Sequence, residues 1–343
     1  MLRKKFFISD RLIYSKSSNA DGKAMKDIYL LLKKNEYKNL RIGNNNETLV
    51  YKIINELYLY CYILSLKKQD IIFYAIPNNF TRIKIINLIK RFKRFNTICF
   101  INDLNSIRYE PINKKLLRKE LNILQSSDCI LAPNCNSCKI LQNKYQIKKN
   151  ILPVTVWDYL TTFYPIKLEV NKDFRDIVFA GNLNKSPFIY ELKNIPLKFY
   201  LWGEGYNESQ ISNIEYCGIS TPDKIIPLIS QYSWGLVWDG PSANSCTGGL
   251  GKYLEFNNSH KCGLYLASRI PIIVWEKSGM ASFVIQHKVG ICVKSLYEAA
   301  NIINSLSMSQ YLEYKKNAFN IGINISKGMY FTKALHWAEN SLK

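Results

Sequence analysis

Between Gly235 and Val274 the chain reads GLVWDGPSANSCTGGLGKYLEFNNSHKCGLYLASRIPIIV, and residue types in that order suit the binding of an anion. An apolar run, Gly235 to Trp238, ends in Asp239-Gly240 and gives way to a loop of small residues from Ser242 to Gly251. The polar knot Asn257-Asn258-Ser259-His260-Lys261 then runs into a helical pattern at Leu264, Leu266 and Ala267. A second buried strand closes the segment from Ile270 to Trp275. Strand, loop and helix start together present unpaired backbone N–H groups and the positive end of a helix dipole, and Lys261 adds a full charge. The anion that fits such a site is a pyrophosphate.

Other reactive residue types form weaker patterns. The nine cysteines are scattered, and several, such as Cys99 and Cys129, sit inside apolar runs where Cys acts as a small hydrophobe. Cys135-x-x-Cys138 has neither a second such pair nor a nearby His pair to complete a zinc set. No Asp-x-Asp pair of the kind that holds manganese occurs. No metal or other cofactor is therefore expected. The odd cysteine count without a framework points to a reducing compartment.

The elements that must position the anion site follow from length and pattern. A chain of 343 residues is comfortable for two domains, and 47% apolar residues support real cores. Its net charge of +21 would concentrate anionic partners: nucleic acid, anionic lipid or nucleotide-linked substrates. A nucleic-acid binder should interleave aromatics with Arg on one face or carry a known module; neither is found, so no nucleic-acid partner is expected. The apolar stretch Phe6 to Ile8 is too short for a signal peptide, and no run nears the roughly 18 apolar residues that spanning a bilayer takes. The expected place is the cytoplasm, at most peripheral on the inner face of the cell membrane.

In the first half, strand patterns at 5–9, 40–42, 70–76, 97–101 and 129–132 alternate with helical patterns at 23–34, 47–67, 82–95 and after Pro133. The second half repeats the rhythm, with strands at 176–180 and 197–202 before the anion segment and a helix-rich tail after it. Alternation in both halves implies two parallel sheets, an α/β fold of two Rossmann-like domains facing a central cleft, with the seam near Tyr159 to Asn171. Their strands end in Gly, Asn and Asp, at the carboxyl ends where such sheets bind ligands.

The block from Trp238 to Leu266 resembles bacterial β-1,6-galactofuranosyltransferases of O-antigen and capsular polysaccharide synthesis. The likeness rests on Trp238-Asp239-Gly240, Cys246, Gly248 to Gly251, Tyr253-Leu254, Phe256-Asn257-Asn258, His260-Lys261 and Leu264-Tyr265-Leu266. Phe179-Ala180-Gly181-Asn182-Leu183, Asp158-Tyr159-Leu160, Asn102-Asp103-Leu104 and Ala20 to Ile28 extend it in the same order over nearly the whole chain. A streptococcal adhesin glucosyltransferase is similar more distantly. The resemblance implies the GT-B architecture and a glycosyltransferase that moves galactofuranose, with inversion and without a metal, from its UDP donor to an oligosaccharide or lipid-linked acceptor. It implies domains at 1–160 for the acceptor and 161–327 for the nucleotide sugar, with a helix at 328–343 that can cross back to the first. UDP-glucose or another UDP-hexose is the alternative donor, and a homo-oligomer stays open.

On that resemblance Lys185 and Lys261 hold the diphosphate, the turn Leu201-Trp202-Gly203-Glu204-Gly205-Tyr206 receives the uracil with a ring packing on its face, and Asn257 and Asn258 bond ribose or phosphate oxygens. Gly181, Asn182 and His260 line the same site. An inverting transfer needs a general base near the acceptor hydroxyl. Asp103 fits best, with Arg108 and Glu110 orienting the acceptor and Asn19 and Gly22 bordering it. The family more often has His where Asn102 stands, which moves weight onto the carboxylate of Asp103. Asp239 is a second candidate, as base or as acceptor of a sugar hydroxyl.

Plainer readings stand beside these. Asp103 suits a helix N-cap and Asp239-Gly240 a routine turn. Lys261 suits a solvated helix lysine, and His260 a capping position. The stretch Arg82 to Phe95 reads equally as a core-facing helix with a solvated basic face or as a surface resting on anionic lipid, the one membrane partner expected.

Overall fold

Runs such as IIFYAI and IIVW have no polar face to offer water, so they suit strands of parallel sheets covered by helices on both sides. The computed structural model describes residues 3–9, 20–41, 48–163, 173–207 and 211–342. They divide into two units. One takes the first strand, Asp21–Val154 and the chain from Phe331 onward; the other takes Thr155–Tyr330.

In the first unit strands and helices alternate. They are β1 (Lys5–Ser9), α1 (Ala20–Lys34), β2 (Lys38–Arg41), α2 (Leu49–Leu64), β3 (Ile71–Ile76) and α3 (Phe80–Lys93). Next come β4 (Asn96–Ile101), α4 (Asn105–Arg108), α5 (Lys114–Ser126), β5 (Cys129–Ala132), α6 (Cys135–Lys139) and β6 (Asn150–Pro153). All pairings are parallel, in the order β2-β1-β3-β4-β5-β6. Chain order reverses between β1 and β3, the switch point at which carboxyl strand ends leave room for a ligand. The core between sheet and helices holds Phe73, Ile98 and Phe100, all nearly fully buried.

The second unit comprises β7 (Asp176–Ala180), β8 (Lys198–Trp202), β9 (Ile214–Gly218), α7 (Ile225–Ile229), β10 (Trp234–Val237) and α8 (Gly248–Tyr253). It continues with α9 (His260–Ala267), β11 (Ile272–Trp275), α10 (Ala281–His287), β12 (Gly290–Val293), α11 (Leu296–Ser305) and α12 (Met308–Ser326). Its parallel strands run β12-β11-β10-β7-β8-β9, so order reverses between β7 and β10. One face of the sheet packs Phe179, Phe188, Phe199 and Trp234. The other packs Val178, Tyr265, Leu266 and Val274. Tyr265 lies so close over Gly235 of β10 that a Cβ there would stand 2.2 Å from its ring. The Tyr265 hydroxyl in turn accepts the Ala180 N–H at 2.8 Å, tying α9 to the end of β7.

The last helix, α13 (Met329–Ser341), sends Phe331 into the first unit's core. Its ring meets Phe73 edge-on at 5.9 Å and Phe100 at 5.7 Å, and Glu339 pairs with Lys5 at 2.9 Å. No described helix is long and apolar enough to cross a membrane.

Two departures from the sequence pattern matter for the site. The small-residue loop expected up to Gly251 gives way instead to α8, where a Cβ on Gly251 would stand 2.6 Å from the Cys246 carbonyl carbon and 3.0 Å from the Asp239 carbonyl oxygen. The short strands β6, β9 and β12 are absent from the sequence reading. Runs this short carry little periodicity of their own, and strand pairing makes them.

Candidate active site

At the second unit's switch point, the turns after β7 and β8 are sewn together by backbone. Gly181 N–H donates to the Trp202 carbonyl at 2.9 Å, Leu183 N–H to the Glu204 carbonyl at 2.9 Å, and Gly203 N–H to the Gly218 carbonyl at 2.9 Å. Asn182 accepts the Lys185 N–H at 3.2 Å and so caps a short 3-10 turn, leaving Lys185 exposed at its end. Gly203 has φ +141°, and a Cβ there would stand 1.8 Å from the Gly181 carbonyl oxygen. Gly203→Ala therefore forces the two turns apart and destabilises the protein by at least about 2 kcal/mol, read as a lowered urea midpoint. An unchanged midpoint would remove this packing argument.

Beside these turns lies a tier of rings of which the sequence pointed only to Tyr206. Tyr216 donates its hydroxyl to the Gly203 carbonyl at 3.0 Å and stacks on Tyr206 at 5.3 Å, which faces Tyr190 at 6.1 Å. Trp202 is half-buried and packs against the opposite cluster, among Tyr200 and Tyr232. Only pairing of β8 with β9 brings Tyr216 here, so no local spacing announced it.

The cation that the structure brings to this switch point beside Gly181 is Lys261. From the first turn of α9 its ammonium reaches Asp239, just past the end of β10, at 3.1 Å, and stands 5.2 Å over the Phe179 ring. Its Cε lies 3.1 Å from where a Cβ on Gly181 would be. Lys261, Asp239 and Gly181 thus meet at the carboxyl ends of β7 and β10, where the strand order reverses. Ser259 precedes the helix without a side-chain capping bond. Asn257 carries a buried Oδ1 that no described group satisfies, an arrangement that costs free energy unless a ligand supplies a hydrogen. Asn258 has a structural task, donating to the Thr155 carbonyl at 3.1 Å while its own carbonyl accepts Trp157 Nε1 at 2.8 Å. The His260 ring packs 5.0 Å from Tyr159 and 6.0 Å from Trp157.

Glu191 anchors the loop above these residues, accepting the Ser242 hydroxyl at 3.0 Å and the Ala243 N–H at 2.7 Å. It lies 51 residues from Ser242, a distance no motif spans.

In the first unit Asp103 follows β4. Its N–H donates to the Ile76 carbonyl at 3.2 Å, and its Oδ2 accepts from Arg108 at 2.8 Å. It is not an N-cap. The start of α4 is held instead by buried Glu120, which accepts the Asn105 N–H at 3.0 Å together with the Ser106 N–H and hydroxyl. Burial pushes the Glu120 carboxyl above its ordinary range. Glu110 is exposed beyond α4, and Gly22 lies half-buried in α1, next to the buried Lys23–Asp27 ion pair at 2.5 Å. Asn19 lies outside the described residues.

Residues 5–153 match the N-terminal domain of the glucosyltransferase 3-like family, and residues 177–338 match its C-terminal domain. The chain belongs to the glucosyltransferase 3-like family. Among relatives of this family member, the β-1,6-galactofuranosyltransferase WbbI of Escherichia coli (strain K12) is 28% identical over 98% of this chain and 99% of that one. Glucosyltransferase 3 of Streptococcus gordonii is 27% identical over 69% of each chain. Solved structures share the fold at low identity. Sucrose-phosphate synthase from Thermosynechococcus elongatus has a TM-score of 0.64 at 11% identity, covering 98% of each chain. Anabaena Alr3699/HepE, in complex with UDP, has 0.58 at 12% identity, covering 99% of each. This family member is a glycosyltransferase of the GT-B type.

Proposed function

We propose that this protein transfers galactofuranose from UDP-galactofuranose to a hydroxyl of a lipid-linked oligosaccharide in the building of cell-surface polysaccharide. The observation that carries the nucleotide half is the meeting of Lys261, the start of α9 and the side-chain-free edge of Gly181 at one switch point. The sugar is assigned on likeness to the galactofuranosyltransferase WbbI along the full length of both chains.

In this reading the diphosphate lies against Lys261 and the N–H groups of α9, with Lys185 closing from the adjacent turn. The unsatisfied Asn257 Oδ1 accepts from a ribose hydroxyl. Uracil takes the turn at Trp202 and Gly203. Asp103 accepts the proton of the acceptor hydroxyl as its oxygen attacks the anomeric carbon. The bond from that carbon to the phosphate oxygen breaks and UDP leaves with the electron pair, so configuration inverts in one displacement. Lys261 and the helix dipole offset the charge that grows on the leaving diphosphate, the task a metal ion performs elsewhere. Arg108 orients the base, and Asp239 holds the Lys261 ammonium in place.

The streptococcal relatives favour a second reading, transfer of glucose from UDP-glucose, over a smaller share of the chain. The test is UDP release from each donor in excess EDTA, with NMR of the product's anomeric proton. UDP-galactofuranose should turn over at least about tenfold faster than UDP-glucose, which a pocket refusing one ring shape can achieve. The reverse ranking establishes the glucose reading, and loss of all turnover in EDTA overturns the metal-free mechanism.

A further inference from the structure

Helix α2 is apolar on both of its sides. Its inner side buries Leu59 and Ile63, yet its outer side is apolar too. Val50, Ile54, Leu57 and Tyr58 recur at helical spacing and are 64%, 40%, 58% and 74% exposed, with Tyr51 and Tyr62 flanking them. Surface helices carry charge on that side. The one acidic residue of α2, Glu56, is taken by Arg82 of α3. That neighbour, which has no acidic residue, exposes Phe92 at 77% together with Lys84, Arg91 and Lys93, and Arg94 follows it.

An apolar stripe with tyrosines along its margin and cations beside it has a specific chemical complement. Apolar side chains enter the acyl boundary, tyrosine rings lie at headgroup depth with their hydroxyls wet, and Lys and Arg meet lipid phosphates. We infer that α2 and α3 form a docking surface for an anionic lipid bilayer, with α2 lying in the plane of the interface. A second copy of the chain fits worse. Two-fold pairing through α2 sets like surfaces together, which brings the Lys84 and Arg91 rims of two chains of charge +21 against each other. The surface lies wholly in the first unit and stands whichever sugar is transferred.

The experiment is co-sedimentation of the full chain with vesicles of phosphatidylcholine alone or mixed with phosphatidylglycerol, with light scattering of the protein by itself. The protein should bind the mixed vesicles, leave the neutral ones, and lose binding as salt rises. Leu57→Glu with Tyr58→Glu should weaken binding by at least about tenfold. Lys84→Glu and Arg91→Glu should each weaken it by about fivefold or more. These side chains are exposed, so thermal midpoints and the response to UDP should match the wild type. No binding to mixed vesicles overturns the inference, and so does binding that the Leu57/Tyr58 variant keeps. A solution dimer that this variant dissociates overturns it as well, and assigns the face to a second copy.

Discussion

Replacing Asp103 by Asn lowers kcat by at least about a hundredfold and leaves the thermal response to UDP unchanged. Asn keeps the size of the side chain and an oxygen that can accept from Arg108, so the local geometry survives. What disappears is the capacity to take a proton, and a positioned general base is worth roughly 10²–10⁴ in rate. The ion pair is partly exposed, with 25% of the Arg108 side chain and 14% of the Asp103 side chain open to solvent, so losing its charge costs little stability. UDP binding should hold because Lys261 and Gly181, which the proposal sets against the diphosphate, belong to the other unit. A variant that keeps kcat within about threefold would remove Asp103 as the base, since even weak general-base catalysis exceeds that. Asp239 would then be tested next. A variant that loses both kcat and the UDP response would show a folding defect.

Lys261→Ala should have the second large effect, raising the Kd for UDP by about tenfold to a hundredfold with or without EDTA. A hydrogen bond to a charged group contributes roughly 1.5–3 kcal/mol, which sets that range. The change also uncovers a repulsion. Asp239 now receives the ammonium at 3.1 Å; without it, the carboxylate faces the incoming phosphates alone. Adding Asp239→Asn to Lys261→Ala should therefore recover part of the lost affinity, whereas Asp239→Asn alone should weaken binding less than Lys261→Ala does. Isothermal titration of the four proteins closes this cycle. Equal affinity of Lys261→Ala and wild type for UDP would sink the diphosphate site. Additive losses without recovery would leave Lys261 as a ligand but deny Asp239 its part.

Much of this site was legible in the residues. Lys261 announced itself because three local cues follow one another in the segment from Gly235 to Lys261: an apolar strand, a run of glycines and a polar helix start. Each acts over a few residues, so the order of the chain preserves it. Asp103 was legible for the same reason, as a carboxylate just past an apolar strand, although the choice between base and N-cap was not. The N-cap reading fell because Glu120, 14 residues beyond Ser106, holds the start of α4; the role of base stays a proposal. Tyr190 and Tyr216, which join Tyr206 in one tier, and the Glu191 anchor left no local trace, because strand pairing and loop packing bring them together. The outward turn of α2 was hidden too. Its apolar spacing is the same whether a helix faces a core or the solvent, and spacing records period, not direction.

By itself the sequence determined the alternation of strands and helices and the two α/β units, and it singled out Lys261 as the cation proposed for the diphosphate. Those depend on hydrophobic period and short-range turn chemistry, which neighbouring residues encode. Only the tertiary structure decided that β7 lies beside β10, that Gly181 and Asp239 consequently converge on Lys261, and that α2 shows its apolar stripe to the outside. Strand order and helix facing are set by which buried surfaces find one another across the chain, and that depends on packing between residues far apart in sequence.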